Sequence, residues 1–78
     1  KMEWIQVNKQ LPKENETVWA MNKEERWVML ASLVYEDGWL WAVSNGIIYA
    51  ENKNIVSECE IDDNYDVTHW QALPKLSI

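Results

Sequence analysis

The run Arg26-Trp27-Val28-Met29-Leu30-Ala31-Ser32-Leu33-Val34-Tyr35 constrains the fold more than any other stretch. Met, Leu and Ala would let it form a helix. The next residues argue against that, because Glu36-Asp37-Gly38 leads at once into Trp39-Leu40-Trp41. Asp-Gly between two apolar runs is a hairpin signal, since both residues accept the positive φ that matches the twist of paired strands. The run is therefore expected to be a strand that returns through 39–44. The same logic expects a second reversal at Asn45-Gly46, with Ile47-Ile48-Tyr49-Ala50 as the returning strand. Three consecutive strands of an antiparallel meander make up the centre of the chain.

The two ends mirror each other. Trp4-Ile5-Gln6-Val7 runs into Leu11-Pro12, and Val67-Thr68-His69-Trp70-Gln71-Ala72 runs into Leu73-Pro74. Proline has no N–H to continue a ladder, so each pair stops a short strand. The end segments are expected side by side, with Trp4 and Trp70 in one core. Between them, Asn8 to Thr17 reads as a surface loop, Thr17 to Met21 as a strand and Asn22 to Glu25 as a polar hairpin connection. Residues 51–57 read as polar and irregular. Glu58-Cys59-Glu60-Ile61 alternates, with Cys59 and Ile61 inward, and Asp62 to Asp66 is an acidic turn. The expected fold is all-β: five to seven short strands in a small antiparallel meander, closed or coiled into a barrel-like sheet with the terminal strands adjacent. One domain is expected over residues 2–78, with Lys1, which precedes Met2, left outside it.

So short a chain must bury large groups efficiently. Six Trp and three Tyr with no Phe among 78 residues answer that need, and the core is expected to be aromatic. Each buried Trp removes roughly 200 Å² from water, or about 5 kcal/mol of gross transfer energy. The apolar pattern is also two-sided. Trp27, Met29, Ala31, Leu33 and Tyr35 face one way, while Val28, Leu30 and Val34 face the other with Ser32. Residues 39–43 repeat this. A second apolar face needs cover from the chain's own loops, from a subunit contact or from an apolar ligand. The expectation is a homo-oligomer with its site at or beside the subunit contact.

Thirteen Asp and Glu against seven Lys and Arg give a net charge of −6. This argues against direct nucleic-acid binding, which needs clustered cations. A single cysteine excludes an intrachain disulfide and suggests a reducing compartment. No apolar run approaches the roughly 18 residues of a membrane span, and no stretch reads as a signal peptide. The expectation is a cytosolic protein away from the membrane.

No complete catalytic or metal set can be written. His69 is the only histidine, and Cys59 with His69 supplies two soft ligands where zinc needs three or four. Cys59 lies between two glutamates, which disfavour a thiolate. Asp62, Asn64 and Asp66 have the spacing of a calcium loop but lack its glycine and distal glutamate, so they read as a solvated turn. The only glycines, Gly38 and Gly46, are assigned to hairpins, which leaves no phosphate loop. The protein is expected not to be an enzyme and to use no cofactor.

Trp4-Ile5-x-Val7, Leu11-Pro12, Val18, Val67-Thr68-His69-Trp70 and Leu73-Pro74 together resemble the small family called domain of unknown function 551, found mostly in bacteriophages and prophages. Compared with that family, the middle of this chain is longer and richer in tryptophan, and Gln71-Ala72 stands where members often have Met-Pro. The resemblance implies a phage-type accessory protein acting in the host cytosol. Two uses fit such a protein. In the first, it sequesters a small nucleotide-like signal of host defence. Trp27, Trp39 and Trp41 would then stack on a base, and Arg26, Lys53 or Lys23 would meet a phosphate. In the second, it inhibits a host or defence protein. Glu58, Glu60, Asp62, Asp63 and Asp66 would then imitate a nucleic-acid backbone in a basic cleft. The aromatic excess favours the first.

Overall fold

In the computed structural model, which describes residues 3–77, β-branched and aromatic runs separated by polar turns give six strands and no helix. The expected limits of the domain, Met2 and Ile78, lie outside the described residues. The strands are β1 (Ile5–Gln6), β2 (Thr17–Asn22), β3 (Trp27–Tyr35), β4 (Trp39–Glu51), β5 (Asn54–Ile61) and β6 (His69–Ala72). They form one antiparallel sheet in the order β1-β6-β2-β3-β4-β5. The all-β meander and the adjacent terminal strands are as expected. The barrel is not: the sheet stays open, with β1 and β5 as its edges.

The polar connection after β2 joins Asn22 to Trp27. Asn22 holds it by accepting Arg26 N–H at its carbonyl (2.8 Å) and Glu25 N–H at Oδ1 (2.7 Å). Between Tyr35 and Trp39, Asp37 (φ 55°) and Gly38 (φ 126°) supply the positive φ that the reversal needs.

Asn45-Gly46 departs from expectation. It does not reverse the chain but lies within β4, whose pairing to β5 slips between Ser44↔Cys59 and Ile48↔Ser57. Gly46 (φ 96°) uses its positive φ for this bulge. Side chains fix it locally: Gly46 N–H donates to Ser44 Oγ and Ile47 N–H to Asn45 Oδ1, each at 3.0 Å. The true reversal is at Asn52-Lys53, where Glu51 pairs with Asn54 and Asn52 takes φ 57°. Residues 54–57, expected to be irregular, are therefore the first half of β5.

Register sorts the side chains. Val18, Ala31 and Val43 are cross-strand partners on one face, and Ala20 sits opposite both Met29 and Trp70. Ala20, Ala31 and Val43 form a buried cluster with Val67, and Val7, Trp27, Met29, Trp41 and Tyr65 pack around it. Trp27 meets Tyr65 edge-on at 5.5 Å. Trp70 is 6% exposed, and its indole N–H donates to Gln10 O at 2.8 Å. Trp4 does not join it. Ile5 is the register partner of Trp70, so Trp4, one residue away, belongs to the opposite face and is 38% exposed.

The second face is covered in part by the chain itself. Its centre carries small side chains, Thr17, Ser32, Ala42 and Ser57, all buried. Beyond the bulge β5 comes within reach of β2, and Ser57 N–H donates to Thr17 Oγ1 at 3.2 Å. Ser57 Oγ also bonds Ser44 Oγ and donates to Ile47 O. Leu30 on this face is buried, while Val28 and Ile61 are exposed. Ile61 thus departs from its expected inward place, because among the described residues no further strand lies beyond β5 to cover it.

Candidate functional site

Coiling brings the free edge of β5 back towards the start of β2 without closing the ladder. A seam is left between them. Thr17 bridges it through Ser57, and farther along the tail after β6 bridges it again, with Leu76 N–H donating to Lys53 O at 2.8 Å. Lys75 Nζ donates to Asn54 Oδ1 beside that bond. Pro74 stops β6 from running on as a regular strand, so the tail crosses the seam as an irregular strap. Between the two bridges is a cleft of about 320 Å³.

Three elements build this cleft. Ile55 and Val56 of β5 form one wall and Leu73 and Pro74 another, with Lys13 to Thr17 closing the third side. The loop is held there by Asn15 N–H donating to Leu33 O at 2.8 Å, and Asn15 takes φ 67° to do so. Glu14, Glu16 and Glu51 face Lys13 and Lys75 around the cleft, so carboxylates exceed ammonium groups. The sequence carries a signal for its β5 wall alone. Asn at 52 accepts positive φ, which makes Asn52-Lys53 a two-residue turn and extends β5 back to Asn54.

The five residues expected to bind a ligand are not brought together. Trp27 and Trp41 pack against the core cluster, and the Trp27 indole N–H donates to Glu25 Oε1 at 2.8 Å. Trp39 is half-exposed and meets Tyr35 edge-on at 5.1 Å. Arg26 closes the β2–β3 turn, and Lys53 lies in the β4–β5 turn at the far end of β4 from Trp39. None of the five lines the seam cleft or the smaller hollow beside Val67 and His69.

Cys59 is half-buried. Burial pushes its thiol pKa up, and hydrogen bonds from Ser32 and Ser57 pull it only part of the way back, so the reactive thiolate is disfavoured. His69 Nδ1 and Thr68 Oγ1 share a hydrogen bond of 2.8 Å, and the Thr68 hydroxyl also accepts Lys23 N–H. This ties the entry to β6 to the β2–β3 turn. At the acidic turn Asn64 N–H donates to Asp62 Oδ1 at 2.9 Å, a local turn closure.

The Thr-His-Trp-x-x-Leu-Pro close thus forms the inner strand β6 and the strap, and the Trp-Ile-x-Val opening pairs with it. A family described as "Protein of unknown function (DUF551)" matches residues 3–76. The chain belongs to the DUF551 family. No curated protein and no solved structure matches it.

Proposed function

We propose that this DUF551 chain is a non-enzymatic binding protein, of the phage-type accessory kind, directed at another protein. One observation carries this reading. Beyond the bulge, β4 presents Ile47, Ile48 and Tyr49 at 53%, 56% and 44% exposure on a domain of net charge −6. Successive strand residues alternate, so Tyr49 stands on one side of this part of β4 and Ile48 on the other. Exposed large apolar side chains on an acidic domain have the make-up of a protein-binding surface. An acidic surface of this kind also speeds encounter with a basic partner. Glu58 and Glu60 on β5 add to it, and both are exposed.

Sequestration of a nucleotide-like signal has less support. It needs a base platform and phosphate-binding cations in one place, whereas Trp39, Arg26 and Lys53 belong to three different hairpin ends. Self-association remains part of the reading, through the exposed apolar side chains of β4 from Ile47 to Tyr49. The test is native mass spectrometry of the protein purified from its host, which reports subunit number and retained partners together. A retained polypeptide, second copy or other, is the expected result. A stoichiometric nucleotide-sized mass on a monomer would overturn the proposal.

A further inference from the structure

Strand β5 has one strand partner, β4. In an antiparallel strand, N–H and C=O of one residue point to the same side, and alternate residues point alike. Ser57 directs its N–H into the seam, so Ile55 does too, and among the described residues no strand meets it there. Ile55 lies between the two bridges, Lys53–Leu76 and Ser57–Thr17. From Lys53 to Ser57 the edge is about 13 Å long at roughly 3.3 Å per residue, which leaves room for about three extended residues. The cleft of about 320 Å³ at this point is small for a ligand pocket, the usual range being about 300–1,000 Å³. Its size suits a short length of backbone.

Charge selects which backbone. Glu14, Glu16 and Glu51 outnumber Lys13 and Lys75, and Lys75 is already engaged by Asn54. Leu73, Pro74, Ile55 and Val56 offer apolar contact beside them. We infer that the seam cleft accepts a short extended segment of a partner protein as an added strand. That segment pairs its backbone with Ile55 and alternates apolar residues with Arg or Lys. A second copy is a poor source, since the chain carries nearly twice as many acidic as basic residues.

This inference rests on the protein-directed reading, and its test separates the two. The full chain, labelled with nitrogen-15, is titrated with acetyl-Arg-Val-Arg-amide while its backbone amides are followed by NMR. Saturable shifts at Ile55 and Val56 are expected. Methylating the backbone nitrogen of the peptide's Val should weaken binding at least tenfold, since it removes a strand donor and leaves charge unchanged. The Glu-Val-Glu peptide should fail to bind, and Glu51→Gln should weaken the Arg peptide several-fold. Equal binding of the methylated peptide would overturn strand pairing, and absence of shifts at Ile55 and Val56 would overturn the site. If adenosine diphosphate moves those amides and the peptide does not, the protein-directed reading falls as well. If neither does while mass spectrometry retains a partner protein, the inference falls alone.

Discussion

Replacing Trp70 with alanine removes the largest buried side chain of the closing strand. At 6% exposure, its ring takes roughly 200–250 Å² out of water, worth about 5–6 kcal/mol in gross transfer. Partial collapse around the void brings the measured cost of such truncations to about 3–5 kcal/mol. Gln10 O also loses the indole donor at 2.8 Å, which adds on the order of 1 kcal/mol if water cannot replace it. A chain of 78 residues has a total stability of about 4–12 kcal/mol, so Trp70→Ala is expected to leave a marginal fold or none. Urea unfolding followed by circular dichroism measures the loss. Two companions sharpen it. Trp70→Phe keeps most of the apolar area but loses the donor, and should cost about 1–2 kcal/mol. Trp4→Ala, at 38% exposure and on the other face from Trp70, should cost well under half of the Trp70→Ala loss. If Trp70→Ala unfolds at the parent's urea midpoint, or Trp4→Ala costs as much, the packing described for β1 and β6 is wrong.

Gly46→Val should destabilise by about 1–2 kcal/mol in the same assay. An added Cβ meets nothing within 4 Å, so the cost is backbone strain at φ 96° rather than a clash. The Cys59 thiol should alkylate with iodoacetamide more slowly than a free cysteine at pH 8, and unfolding in urea should abolish the difference. Its folded pKa is raised above the unfolded value. The resulting stability is therefore fully present below the unfolded thiol pKa and falls as pH rises past it, and Cys59→Ser should flatten that alkaline decline. Leu30→Glu should unfold the domain, because Leu30 is 8% exposed, whereas Val28→Glu at 55% should leave it folded. Equal damage from the two would mean that the second face is more open or more enclosed than described.

The strand content was legible because each strand carries a local signal. Asp37-Gly38 placed one reversal, and the two Leu-Pro pairs bracketed the end strands that do meet as β1 and β6. Asn45-Gly46 misled because a positive φ serves a bulge as well as a turn, and only the register of β5 tells the two uses apart. That single displacement accounts for the length of β4, the missed first half of β5 and the cover over Ser32 and Ala42. Trp27 and Trp41 look identical to ligand platforms in sequence. Their role depends on Tyr65 and Val67 folding over them, a long-range event that no local pattern records. The seam cleft was hidden for the same reason, since residues near 15, 55 and 74 meet only in the folded sheet.

The sheet is open, with the β5 edge unpaired by any described strand at Ile55, and amide hydrogen exchange reads that edge directly. Val56, opposite Tyr49, directs its amide into the β4 ladder and should be strongly protected, with Ser57 intermediate through its bond to Thr17. Ile55 should exchange at least a hundredfold faster than Val56, and added acetyl-Arg-Val-Arg-amide should slow it. An Ile55 amide as protected as Val56 in the free protein would mean a closed ladder, with no edge to offer.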